Sequence, residues 1–62
     1  MNKEEWGKAI KVALIEKNIN QTDLADKLGL SRGYVCAIIN GTVSSLGAAS
    51  SISAELNVPM YD

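Results

Sequence analysis

Residues that begin and end helices recur at short intervals along this chain, and they constrain its fold more than any other feature of the sequence. Asparagine or serine, which bonds the free N–H groups of a first helical turn, precedes each of four segments that are apolar on one side. Glycine or asparagine, which readily takes the left-handed conformation that ends helices, follows three of them. The N-caps are expected at Asn2, Asn20, Ser31 and Ser44, and the helix ends at Asn18, Gly29 and Gly41. No segment alternates polar and apolar residues as strands do. The sequence therefore predicts an all-α fold with helices over 3–17, 21–28, 32–40 and 45–56.

Each predicted helix carries apolar residues at the three- and four-residue spacing of a buried face. The candidate core residues are Trp6, Ile10, Ala13, Leu14, Leu24, Ala25, Leu28, Val35, Ile38, Ile39, Leu46, Ala49, Ile52 and Leu56. Val12 and Ile15 point away from the buried face of the first helix. We expect them either to lie under the C-terminal segment or to form a surface for a partner.

The length and the missing residue types narrow the class of protein. A chain of 62 residues is one domain, 1–62, and is too small to enclose a deep active-site cleft. Histidine, the usual general base and the commonest metal ligand, is absent, and the single cysteine, Cys36, cannot form an internal disulfide or a zinc site. These absences favour a protein of the reducing cytoplasm that is not an enzyme and holds no metal or cofactor. The longest apolar run, Val12 to Ile15, is far shorter than the roughly 20 residues of a membrane span.

Charge is distributed unevenly along the chain, although the net charge is only −1. All basic residues lie in the first 32 positions: Lys3, Lys8, Lys11, Lys17, Lys27 and Arg32. A broad basic surface of the kind that attracts nucleic acid is absent, so a polyanion would have to bind a local patch. Lys8 and Lys11 are expected on a solvated face of the first helix, and any contact of theirs with phosphate depends on how the protein docks.

The second and third predicted helices are short and meet at a glycine, which is the helix-turn-helix layout. Within this core, residues 21–40, Ala25 has to be small because the third helix crosses over it, and Gly29 supplies the positive φ of the turn. Aliphatic residues at fixed spacing are expected to lock the two helices together: Leu24, Leu30, Val35 and Ile38.

This spaced pattern resembles the Cro/CI-type helix-turn-helix family, also called XRE or lambda-repressor-like. The stretches that carry the resemblance are Gly7–Ile10, Gln21–Val35, Ile38 with Asn40–Gly41, and Glu55–Pro59. The family resemblance implies a compact bundle of four or five helices that docks its third helix in a DNA major groove. It also implies that the protein pairs as a dimer on two-fold operators.

The resemblance further implies which residues reach the DNA. They are Gln21, Thr22, Ser31, Arg32, Gly33, Tyr34, Cys36, Ala37, Asn40 and Thr42. A helical wheel with Val35 directed inward independently places Arg32, Gly33, Cys36, Ala37 and Asn40 on the outer side of the third helix. Arg32 is expected to pair with a guanine edge, because a guanidinium can bond two acceptors there.

The other candidate residues are expected to contact phosphate or to allow close approach to the bases, and for Tyr34 two roles are possible. Gln21 is expected to contact a phosphate, and Gly33, Cys36 and Ala37 offer close approach and apolar contact with a thymine methyl group. Tyr34 is expected either to pack on the flank of the third helix or to touch DNA. Residues 42–45 offer hydroxyls and backbone N–H groups to phosphate.

The sequence thus predicts a sequence-specific DNA-binding transcriptional regulator of the phage or bacterial repressor type. Its expected partner is a double-stranded DNA operator, which it would bind as a homodimer that pairs through Val58–Tyr61 and the Val12 and Ile15 side of the first helix. The alternative is a helix-turn-helix fold that binds a protein, as an antirepressor or a partner of a regulator. A sequence pI near 5.2 and the nearly uncharged outer face of the third helix favour that alternative.

Overall fold

Four α helices and the turns between them account for the architecture of the chain. The computed structural model describes all residues, 1–62, and contains α1 (Lys3–Glu16), α2 (Gln21–Leu28), α3 (Arg32–Asn40) and α4 (Leu46–Leu56), with no strand. The predicted all-α fold is confirmed, and each predicted helix boundary lies within one residue of the observed one. No helix has the length and apolar character that crossing a membrane requires.

The helices begin where side chains bond the first free N–H groups. Asn2 and Glu5 form a reciprocal capping box at the start of α1, with both N–H···O distances at 2.8 Å. At the start of α4 the predicted cap, Ser44, is wrong by one residue. Ser45 Oγ accepts the N–H of Ala48 at 3.3 Å, whereas Ser44 Oγ accepts a hydrogen bond from Lys3 Nζ.

Left-handed residues end the helices. Gly29 after α2 and Gly41 after α3 have φ of 69° and 81°, and Asn18 follows α1 with φ of 57°, so all three predicted ends are confirmed. Asn57 ends α4 in the same conformation, which the sequence analysis did not anticipate. Residues after Asn57 form no fifth helix, so the bundle has four.

The core is aliphatic apart from one tryptophan. α3 packs against all three other helices, and the predicted inner residues form one cluster, with two exceptions. Leu28 is only half-buried at its edge, and Leu46 is 69% exposed because it lies in the first turn of α4, where no other helix covers it. Ser53, which was not predicted, takes an inner position on α4 instead.

Trp6 joins three parts of the chain at the centre of this cluster. Its side chain is fully buried, and its indole Nε1 donates to Ser53 Oγ at 2.8 Å. The ring of Tyr61 meets it edge-on with centroids 5.4 Å apart, and the Ser53 hydroxyl donates to Met60 Sδ. The C-terminal segment is therefore held against α1 and α4 by Trp6 and Ser53, and the Asp62 N–H reaches the carbonyl of Met1.

Gly7, the next residue, is the point where α1 approaches α3 most closely. It is buried, and a Cβ placed on it would overlap the backbone carbonyl oxygen of Ile39. Only glycine allows the two helix backbones to come this close.

We expect Gly7→Ala to lower the free energy of unfolding by about 1–3 kcal/mol, because the obstruction is backbone and cannot turn aside. Gly47→Ala is the matched control, since Gly47 lies in α4 with open space where a Cβ would go. That variant should gain about 0.5–1 kcal/mol from helix propensity. Chemical denaturation of both variants measures the difference, and equal effects of the two substitutions would refute the close approach.

Ser53→Ala should cost about 1–3 kcal/mol, because it leaves the buried indole N–H of Trp6 without an acceptor. Ser51→Ala, on the exposed side of the same helix, should change stability by less than about 0.5 kcal/mol. Thermal melts followed by tryptophan fluorescence measure both. A Ser53→Ala variant as stable as the wild type would show that this hydrogen bond contributes nothing.

Candidate nucleic-acid interface

The turn between α2 and α3 fixes the direction of the third helix. Gly29 takes the left-handed conformation, and the Leu30 N–H then bonds the Ala25 carbonyl at 2.9 Å. Ala25 is buried, as expected for a residue beneath a crossing helix, and Val35 is buried on the facing side of α3. Because the inner face of α3 is fully used in packing, its opposite face is the one presented to solvent.

The residues that the helical wheel placed on the outer side of α3 are not part of the core, and the predicted site residues of α3 and its N-cap differ in exposure. Ser31, Arg32, Gly33 and Asn40 are exposed, whereas the three between them are half-buried: Tyr34, Cys36 and Ala37. Asn40 Nδ2 lies 3.3 Å from Cys36 Sγ, so one end of this face is partly ordered by its own side chains. Tyr34 packs against the core cluster, which favours its flank-packing role over contact with DNA.

Arg32 and Gly33 stand out on this face because the fold makes no use of either side-chain position. The Arg32 guanidinium has no ion-pair or hydrogen-bond partner within the chain. A Cβ on Gly33 would meet no atom within 4 Å, so internal packing gives no reason for a glycine there. A free guanidinium beside an open backbone can approach another molecule closely.

The starts of α2 and α3 present unbonded N–H groups. Asn20 Oδ1 accepts the N–H of Asp23 at 2.8 Å and leaves those of Gln21 and Thr22 without an acceptor in the chain. Exposed N–H groups at a helix N-terminus suit phosphate oxygens. Gln21 itself is half-buried and Thr22 is exposed.

The turn after α3 offers less than the sequence analysis expected. The N–H groups of Thr42 and Val43 both bond the carbonyl of Ala37, at 2.9 and 3.3 Å, and are not available to a phosphate. The Thr42 side chain is exposed, and the Ser44 hydroxyl contacts Lys3. The hydroxyl groups in this turn can therefore still bond a phosphate, whereas the N–H groups of Thr42 and Val43 cannot.

Three lysines border this interface, although the sequence predicted only a solvated face for Lys8 and Lys11 and left their contact with phosphate to the docking geometry. Lys3, Lys8 and Lys11 of α1 line a surface groove together with Asn40 and Gly41 at the C-terminal end of α3. Positions 3, 7, 8 and 11 share one helical face. This spacing, with a glycine at position 7, was the sequence signal that could have indicated a basic face next to another helix. It was not recognised, because only the packed structure shows which helix that face adjoins.

The expected pairing surface is only partly available. Val58, Met60 and Tyr61 are half-buried and pack against the protein's own core. Val12 is 53% exposed and lines an apolar groove with Leu56, Val58 and Pro59, so it borders the C-terminal segment rather than lying under it. Ile15 is 79% exposed and faces the turn before α2, away from that groove.

A four-helix bundle whose second and third helices meet at a left-handed glycine, with the outer face of the third helix free, defines a helix-turn-helix protein. The family model of that name matches residues 10–62, which is most of the chain. The chain belongs to the XRE, Cro/CI-like family of helix-turn-helix DNA-binding transcription regulators. Comparison with curated proteins and with solved structures gave no match.

Proposed function

We propose that this protein is a sequence-specific transcriptional regulator of the phage or bacterial repressor type, which docks α3 in the major groove of an operator. The observation that carries the proposal is Arg32, an exposed and unpaired guanidinium at the N-terminal end of a helix whose outer face is otherwise small. A guanidinium in this position can bond the O6 and N7 acceptors of a guanine. Occupying the operator would block or reposition polymerase.

The remaining residues of the interface divide into positioning and close contact. The free N–H groups at Gln21 and Thr22, with the Gln21 side chain, are proposed to hold a phosphate. Gly33, Cys36 and Ala37 allow the helix to lie close to the bases, and Asn40 with Thr42 lies where α3 leaves the groove. A positioning contact sets the register, and Arg32 supplies the sequence discrimination.

We also propose that two copies bind a two-fold operator. A single α3 of nine residues covers one half-site, and a second copy one helical turn away extends the contact. The groove lined by Val12, Val58 and Pro59 is the proposed pairing surface, because Val12 and Pro59 are exposed there beside the C-terminal segment.

A second candidate function is binding to a protein through the same end of the bundle. It is favoured by two exposed apolar side chains beside the turn after α3, Val43 and Leu46, since the phosphate backbone offers them no apolar partner. In this case the protein would act as an antirepressor or as a partner of another regulator.

Arg32→Ala should weaken binding to the cognate duplex by about 1–3 kcal/mol and hardly change binding to a scrambled duplex, because a base contact is lost. Gln21→Ala should weaken binding to both duplexes alike, because a phosphate contact carries no sequence information. Fluorescence anisotropy titrations measure both variants, with duplexes taken from the promoter region of the protein's own gene. Thermal melts should show stability within about 0.5 kcal/mol of wild type for Arg32→Ala.

If the wild-type protein prefers no duplex, including that promoter region, the DNA-binding proposal fails. The protein-binding function then predicts that Leu46→Ser reduces affinity for a protein partner while leaving the fold intact, because Leu46 contributes little to the core.

Val12→Glu should abolish cooperative binding to a duplex with two half-sites and leave binding to a single half-site unchanged, because it replaces an exposed apolar side chain of the groove with a charged one. Ala54→Glu, on the exposed side of α4, is the control for the added charge. Electrophoretic mobility shifts distinguish the singly and doubly occupied duplex. Retained cooperativity in Val12→Glu would move the pairing surface elsewhere.

A further inference from the structure

Half of the basic residues of the chain lie on one strip of α1. Lys8 and Lys11 are exposed, Lys3 is half-buried, and all three line the groove beside the last residues of α3. The groove continues onto the outer face of α3 through Asn40, which belongs to both. The strip formed by Lys3, Lys8 and Lys11 is therefore an extension of the proposed reading surface.

The strip keeps a net positive charge in a chain that is negative overall. The groove is lined by these three lysines and one acid, Glu4, so its lining carries a net charge of +2, against −1 for the whole chain. The Lys8–Glu4 pair spans 3.7 Å between two largely exposed side chains, so a phosphate can displace it at little cost. Lys11 forms no ion pair in the chain, and Lys3 reaches across to Ser44 in the turn after α3.

The length of α3 relates this strip to a DNA backbone. Nine helical residues rise about 13.5 Å at 1.5 Å each, close to the roughly 12 Å width of the major groove. With the N-terminal end of α3 at the base edges, its C-terminal end comes to the wall of the groove. That wall is a row of phosphates, and the lysines of α1 lie beside this end of the helix.

We propose that the strip formed by Lys3, Lys8 and Lys11 binds consecutive DNA phosphates at the edge of the groove that α3 enters. This proposal rests on the proposed function and adds to it the main cationic contact with the backbone. It accounts for how a chain with pI near 5.2 holds a polyanion: the needed charge is concentrated beside the reading helix.

The same lysines have a second conceivable role within the fold. The last turn of α3 contains no basic residue, so lysines of α1 beside it offset the partial negative charge of that helix end. An effect of this kind contributes to stability and leaves the dependence of DNA binding on salt unchanged. The two roles are therefore separable by measurement.

The test compares Lys8→Gln/Lys11→Gln with Lys17→Gln/Lys27→Gln, which removes the same charge from positions outside the strip. Affinity for a duplex with one half-site is measured against salt concentration, on cognate and scrambled sequences. We expect a wild-type slope that corresponds to about 2–4 phosphates per subunit, and a slope smaller by about 1.8 for the strip variant. At about 0.1 M salt the strip variant should bind both sequences more than tenfold more weakly, with the ratio between them kept.

The control variant should keep the wild-type slope. An unchanged slope in the strip variant, or an equal loss in the control, overturns the proposal, as does a change confined to thermal stability. In each of those cases a retained preference of the wild type for its cognate duplex leaves the proposed function standing. A wild type that binds no duplex refutes both together, which separates the two failures.

Discussion

The burial of Trp6 is the interaction on which the rest of this small structure depends. Its indole is the one large aromatic side chain in an aliphatic core, and its N–H has to find an acceptor inside the protein. Ser53 provides it, and this hydrogen bond joins α1 to α4 inside the core. Tyr61 and Met60 then close over the pair, which fixes the C-terminal segment without a fifth helix. A domain of 62 residues buries only about 60% of the surface that its unfolded chain exposes, so each buried contact is a large share of its small net stability.

The proposed functional face is the side of α3 that does not pack against the other helices. Val35, Ile38 and Ile39 are buried in the core, because α3 contacts all three of the other helices. The remaining side of α3 carries small or polar residues and one arginine that has no internal partner. A surface of that kind adds little to stability, so its composition is free to serve binding. The N–H groups at the starts of α2 and α3 are likewise available for binding, since each cap accepts only some of them.

Local signals predicted the helices and their inner faces, while tertiary contacts decided what the sequence analysis missed. Capping chemistry acts within four residues, so Asn2, Asn20 and Ser31 were identifiable from the sequence. Ser44 and Ser45 are both good N-caps by residue type, so the sequence alone did not distinguish them, and in the structure Ser45 caps α4 while Ser44 bonds Lys3. Ser53 has a polar side chain, and nothing in α4 itself reveals the indole that it meets. The lysine strip was readable as one helical face, but its neighbour, the end of α3, is known only once α1 and α3 are packed.

Gly7 connects the core to both parts of the interface. It adjoins Trp6 in sequence, lies in the lysine strip and meets the backbone of Ile39, so the separation between α1 and α3 is set by backbone contact rather than by side-chain fit. Side chains can change rotamer, whereas two helix backbones in contact move only as rigid bodies. The backbone positions that carry the lysines of α1 and Arg32 of α3 are therefore held at a fixed separation by the same packing that buries Trp6. For a protein with only six basic residues, this fixed backbone spacing matters because it lets the few available cations reach the DNA together.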